Sequence, residues 1–260
     1  MPQVKVIYDG ESAYSRYRII ERTYNERPSR LLLSGNNGAP QSGIALDDNP
    51  ELLFDYIQRL LEVTISLNPQ RILVIGGGAF TLPSALLAQL PNAHIDAVEI
   101  DPALPRLAYK YFNLPRNRRL KIITDDGRNY IDNYRATYNL IIVDAFSGYD
   151  IPISLLTVEA AKEYARLISP SGTLALNVIA TYRGSLPTLA HRLLATLRTS
   201  FGTVEIYPAD LQDNQYEDQN LIYVASNNTK LDLDYLLSAQ VHPQELIDDA
   251  LRMYDTQNAK

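Results

Sequence analysis

The stretch RILVIGGGAFTLPSALL, residues 71–87, decides how this chain is read. RILVI is a short, almost wholly apolar run rich in branched side chains, the pattern of a strand buried on both faces. Three glycines end it, and an apolar segment of helical character follows at once. Glycine lets the backbone take unusual dihedrals and approach a ligand closely, while a helix beginning near Thr81 points its positive end into the same space. By itself the turn fits either a bare strand-to-helix connection or a cradle for a phosphate or nucleoside.

The same alternation continues outward from this stretch. Apolar strands HIDAVEI, LKIIT, YNLIIVD, TLALNVI, TVEIY and NLIYVA are separated by helix-like segments around 81–90, 103–112, 127–134, 156–168 and 185–200. Strands that are nearly continuously apolar and alternate with helices predict an α/β fold, a doubly wound parallel sheet covered on both faces. The last two strands lie close enough in sequence to pair antiparallel. Upstream, KVIYD, RYRIIER and SRLLLSG are punctuated by turn formers such as Asn36, Asn37 and Gly38, which predicts a small antiparallel sheet. Asn49 as a cap, Pro50 in a first turn and Leu52, Leu53, Tyr56, Ile57, Leu60 and Leu61 at helical spacing predict a helix leading into the main body. The expected organisation is therefore an N-terminal β-strand domain, residues 1–48, and a nucleoside-binding domain, residues 49–260.

Composition narrows the function. The 260 residues are 46% hydrophobic, enough for a sizeable core, and carry a net charge of -6 with no basic stripe, which argues against a nucleic-acid partner. No cysteine is present, so thiolate catalysis, disulfides and cysteine metal sites are excluded. His94, His191 and His242 are scattered without a second ligand at helical spacing, so no metal is expected. The first residues lack the pattern of a signal peptide, and no apolar run nears the roughly 20 residues of a membrane span. The chain reads as a cytoplasmic protein without a membrane partner.

In an open parallel sheet, ligands bind at the carboxyl ends of the strands, so the residues just after each strand matter most. After the first come Gly76, Gly77 and Gly78. After the second comes Glu99, at the spacing where an acid receives the two hydroxyls of a ribose. Asp101 and Pro102 follow as a helix cap and first-turn proline. After the third strand, in TDDG, Asp126 either receives the amino group of an adenine or, like Asp125, caps the next helix. After the fourth, Asp144 ends an apolar run, where burying a carboxylate is costly unless it has a task.

The segments VIGGGAFTLPSALL, AVEIDPALPRLAYKYFNL, ITDDGRNYI, IIVDAFSGYDIPISLLT and LISPSGTLALNVIA occur in the order and near the spacing of the spermidine synthase (polyamine aminopropyltransferase) family. ESAYSRYRIIER and SGIALDDNPELLFDYI resemble that family's small β-domain and connecting helix. The chain looks most similar to spermidine-synthase-like proteins sometimes fused to membrane transporters. The resemblance implies a Rossmann-like sheet of the class I methyltransferase type, a transferase with decarboxylated S-adenosylmethionine as co-substrate, an amine as acceptor and a homodimer. It implies that Glu99 binds the ribose, Asp126 and Gly127 the adenine end, Gly76 to Gly78 and Gln41 the rest of the donor, and that Asp144 handles the attacking amine. Asp150, Ser147, Tyr149 and Asp55 are the candidates for the acceptor.

Three departures from the family pattern bear on the substrate. Its glycine loop continues with an aspartate that pairs with the donor's propylammonium tail, where this chain has Ala79. Its second catalytic acid is replaced by Ser147, with Asp150 nearby. The tyrosine-containing triplet on the connecting helix gives way to Phe54, Asp55 and Tyr56. Losing a charged partner for a desolvated ammonium costs about 1 to 3 kcal/mol, a tenfold effect or more on donor preference. A methyltransferase using S-adenosylmethionine, with Thr81 as a carboxylate donor, is the alternative; an idle nucleoside-binding homologue is a third reading. The missing third glycine of the dinucleotide fingerprint disfavours a nicotinamide dehydrogenase.

Overall fold

The structure, a computed structural model, describes residues 4–35, 38–49, 51–146, 151–181, 188–209 and 217–227. β1 (Lys5–Glu11), β2 (Arg16–Tyr24), β3 (Arg27–Ser34) and β4 (Ala39–Ala45) form an antiparallel sheet in sequence order. Then come α1 (Asp55–Leu67), β5 (Arg71–Ile75), α2 (Thr81–Gln89), β6 (His94–Glu99), α3 (Ala103–Tyr111) and β7 (Leu120–Thr124). These are followed by α4 (Gly127–Asn133), β8 (Tyr138–Val143), α5 (Val158–Leu167), β9 (Ile168–Ala180), α6 (Leu189–Arg198), β10 (Thr203–Pro208) and β11 (Gln219–Ser226).

The second sheet runs β10-β11-β9-β8-β5-β6-β7, parallel from β9 to β7 and antiparallel where β11 joins β9 and β10. This is a Rossmann-like sheet. Strand order reverses at β5, with β6 and β7 added on one side and β8 and β9 on the other. The crevice at the carboxyl ends of β5 and β8 is thus the switch point where a ligand is received.

Why the strands are almost wholly apolar is visible in the two cores. Ile72 and Val74 pack on one face with α1, α2 and α3, whereas Leu73 and Ile75 pack on the other with α4, α5 and α6. Period-2 alternation places successive side chains on opposite faces, and both faces are covered. The four-stranded sheet is tied to the main body through buried and part-buried polar contacts. The Ser12 hydroxyl bonds the Asp101 carboxylate; Arg30 Nη1 donates to the Tyr111 carbonyl at 2.6 Å; the Ser42 and Thr81 hydroxyls lie 3.2 Å apart.

Three expectations need correction. The connecting helix begins at Asp55, not at Asn49 and Pro50. Asn49 instead accepts the Glu51 N–H at 3.0 Å, and Arg27 donates to the carbonyls of Asn49 and Glu51 at 2.8 and 3.0 Å, which pins this stretch against β3. Leu53 is buried there with Ile20, Leu31 and Leu33 rather than on the helix. β4 was not anticipated, because Pro40 and Gly43 interrupt its pattern; it pairs only with β3, and an edge strand tolerates both. β9 starts at Ile168, ahead of the expected TLALNVI, with an irregularity where Tyr138 and Leu140 pair with Ile168 and Thr173. No helix among the described residues is long and apolar enough to cross a membrane.

Candidate active site

A cavity of about 830 Å³ opens at the switch point, within the usual range for a small-molecule site. Gln41, Asp55, Gly76, Gly77, Gly78, Glu99, Asp126, Gly127 and Asp144 all line it. Thus residues far apart in sequence converge on one space. Ser147, Tyr149 and Asp150 lie outside the described residues.

The glycine turn forms one wall. Gly76 and Gly78 have φ of +96° and +52°, and the Gly76 N–H continues the ladder to the Val98 carbonyl at 2.9 Å. A Cβ on Gly77 would collide with the Phe80 ring at 2.5 Å. The turn is closed by the Phe80 N–H donating to the Gly77 carbonyl, after which α2 begins with Thr81 at the cavity wall.

Glu99, at the end of β6, is buried. Its carboxylate accepts the Gly77 N–H at 2.8 Å and the Asp101 N–H at 2.9 Å, so it braces the turn from the neighbouring strand. Burial pushes its carboxyl above the ordinary range, and the N–H groups of Asp101, Gly77 and Gly78 oppose that shift. Asp101 accepts the Ala103 N–H at 2.8 Å at the head of α3. Asp126 accepts the Asn129 N–H at 2.9 Å and so caps α4, and it also lines the cavity.

Asp144 sits one residue beyond β8, where its N–H donates to the Ile75 carbonyl at 2.8 Å. Its Oδ1 accepts the Asn177 Nδ2 at 2.9 Å. Burial raises its carboxyl to about 6, and the Asn177 bond holds it from rising further. A carboxylate tuned to that range accepts protons near neutral pH. Tyr56 lies close enough that the Asp144 charge adds to burial in raising its phenol.

The N-terminal sheet and α1 supply an aromatic wall. Tyr24 and Phe54 have ring centroids 5.3 Å apart, and Phe54 and Tyr56 6.2 Å. Asp55, the first residue of α1, is exposed at the edge of this wall. Ala79 lies in the apolar core and not on the cavity surface, so the polar groups offered nearby are the hydroxyls of Ser42 and Thr81. Ser42, Tyr24, Asn177 and Asn220 escaped the reading of the sequence. The signal for Asn177 was present, a single amide inside the apolar run LALNVIA.

Residues 55–176 match the family model of the spermine/spermidine synthase domain. Over that segment, just under half of its length, the chain is similar to that family. A polyamine aminopropyltransferase of Vibrio vulnificus is 36% identical over 155 residues, 58% of this chain and 50% of that one. The structure of a probable spermidine synthase from Corynebacterium glutamicum is similar with a TM-score of 0.75 at 24% identity, covering 94% of this chain and 86% of that one. Human methyltransferase-like protein 13 in complex with SAH gives a TM-score of 0.54 at 24% identity over 76% of this chain and 88% of that one. At these identities the two structures establish the shared fold. The chain spans about half the length of the curated relatives it matches.

Proposed function

We propose that this chain transfers an aminopropyl group from decarboxylated S-adenosylmethionine to an amine. The observation that carries the reading is Asp144, a carboxylate raised to about 6 and hydrogen-bonded by Asn177, on the wall of the cavity that also holds Glu99 and Asp126. Glu99 would take the ribose hydroxyls and Asp126 with Gly127 the adenine, with the turn at Gly76 to Gly78 and Gln41 along the donor.

A sulfonium is an activated electrophile, so the protein's task is alignment and exclusion of water. The acceptor nitrogen attacks the carbon beside sulfur; the new C–N bond forms as the C–S bond breaks, and the electron pair leaves on a neutral thioether. Asp144 accepts a hydrogen bond from the amine and takes its proton as the bond forms. Tyr24 and Tyr56 offer ring faces to a distal ammonium, and Asp55 offers charge at the mouth.

Methyl transfer from S-adenosylmethionine is the second reading, favoured by one observation. Ala79 presents no acid to the cavity, whereas the Ser42 and Thr81 hydroxyls can donate to a carboxylate. Calorimetric titration with both donors separates the two. Aminopropyl transfer predicts tighter binding of the decarboxylated donor, and Glu99→Gln should weaken either donor by about tenfold or more, as a charge-assisted bond is lost. Tighter binding of the carboxylated donor overturns the first reading.

The homodimer belongs to the proposal too. β1 is an edge strand with Val6 exposed and Val4 exposed just ahead of it, a template for pairing with a second copy. Sedimentation at micromolar concentration should give twice the chain mass, and a single-chain mass would remove the dimer from the proposal.

A further inference from the structure

Asp144 is held from one side by a chain of two amides, Asn177 and Asn220. Asn177 lies in β9 with no exposed surface, and its Nδ2 donates to Asp144 Oδ1 at 2.9 Å. Its Oδ1 in turn accepts Asn220 Nδ2 at 3.0 Å. Asn220 comes from β11, where it is registered opposite Ile179, and it lines the cavity. Two strands, β9 and β11, therefore contribute one link each to a line ending on the carboxylate just beyond β8.

The chemistry of the amide makes the last link decisive. An asparagine side chain has a donor end and an acceptor end of nearly the same shape, and an ionised carboxylate can only accept. Asn177 serves Asp144 in one orientation and repels it in the other. Around it lie apolar side chains such as Ala175 and Ile222, which do not distinguish the two. Asn220 does, because its Nδ2 engages the Asn177 carbonyl.

We propose that Asn220 is a positioning residue: by fixing the amide of Asn177 it keeps a donor on Asp144 and thereby keeps that carboxylate oriented and ionised for the acceptor amine. This rests on the reading of Asp144 as the group that meets the amine. The remaining titratable groups on the cavity do not supply the same control. Tyr56 of α1 faces Asp144 as a phenol; Glu99, Asp126 and Asp55 are acids from β6, the head of α4 and the start of α1. Tyr14, Tyr17 and Tyr24 line the side formed by the N-terminal sheet, and no cationic side chain lines the cavity among the described residues. Burial is what presses against an ionised Asp144, and the Asn177 amide is the donor that opposes it.

The test is a cycle built on Asn220→Asp and Asn177→Leu. An acceptor-only group at 220 draws the Asn177 NH2 to itself and turns the carbonyl toward Asp144. The Asp144 carboxyl is titrated by carbon-13 NMR, its resonance assigned by loss in Asp144→Asn. With Asn177 present, N220D should move the Asp144 midpoint upward by about one to two units, the size of a lost charge-assisted bond. In the N177L background, only the through-space charge is left, and the shift should fall below half of that. Equal shifts in the two backgrounds, or none in the first, overturn the relay. If N220D does not fold, as judged by thermal unfolding, Asn220→Leu removes the donor without adding charge; a smaller shift of the same sign is expected and an unmoved midpoint overturns the proposal. The acidic limb of kcat should follow the NMR midpoint while the KM for the donor stays within about twofold. Because the NMR titration needs no turnover, a shifted Asp144 in a protein that transfers nothing would overturn the proposed activity and leave the relay standing.

Discussion

Replacing Asp144 by asparagine is expected to slow transfer severely and to make the folded protein more stable at neutral pH. Asparagine keeps the shape and still accepts the bond from Asn177. It cannot take a proton, and losing a positioned acceptor of this kind lowers kcat by about 10² to 10⁴. In the parent protein the rate should fall below about pH 6, as Asp144 becomes protonated and can no longer accept from the amine. The stability effect has the opposite sign. The folded carboxyl titrates at about 6 against an ordinary 3.8, so the folded state holds its proton more tightly than the unfolded chain. Stability contributed by that tighter hold is fully present below pH 3.8 and is lost as pH rises through 6. Asp144→Asn has no such loss, and the gap converts to a gain of up to about 3 kcal/mol at pH 8 that vanishes at pH 3. Denaturant unfolding of both proteins at the two pH values, with rates measured alongside, checks each half. Full activity in the variant would remove Asp144 from the reaction, and equal stability at pH 8 would mean that its carboxyl is not desolvated.

The second large effect separates two glycines of one turn, Gly76 and Gly78. At Gly76 a Cβ would lie 2.2 Å from the Asp144 carbonyl oxygen, 2.7 Å from its carbon and 2.9 Å from Ala145 Cα. All three are backbone atoms, and the segment just beyond β8 that carries them is locked to β5 by the Asp144 N–H to Ile75 carbonyl bond. At Gly78 a Cβ would meet only the Ser42 side chain, Cβ at 3.5 Å and Oγ at 3.6 Å, both ordinary contacts. Both have positive φ, which by itself costs a side chain about 1 to 2 kcal/mol. Gly78→Ala should therefore cost about that much, whereas Gly76→Ala should cost about 3 kcal/mol or more and push Asp144 out of place. Chemical denaturation distinguishes them; equal costs would mean that the close packing of β5 on β8 is not what the first glycine serves.

The parts of this site that the sequence displayed are those set by a single strand and its end. An apolar run with a polar residue at its terminus announces both a buried strand and a group at the sheet's carboxyl edge, and parallel pairing then gathers Gly76, Glu99, Asp126 and Asp144 without further information. The parts it concealed depend on pairing between distant segments. Asn220 meets Asn177 only through the antiparallel register of β11 on β9, across 43 residues. Ser42 meets Thr81 only because β4 docks on the head of α2, 39 residues away. The start of α1 was misplaced for a similar reason, since Arg27 from β3 holds the carbonyls that a helix would have used. Local propensity had no access to that guanidinium.

One consequence follows from a cavity whose described lining carries carboxylates and no cation. In the proposed reaction the donor arrives with a positive sulfur and departs as a neutral thioether, so the field that draws it in loses its hold on that atom at the moment the bond breaks. Affinity and progress are thereby coupled through charge alone: the site prefers what it has yet to convert, and raised salt should weaken capture of the donor far more than retention of the spent nucleoside.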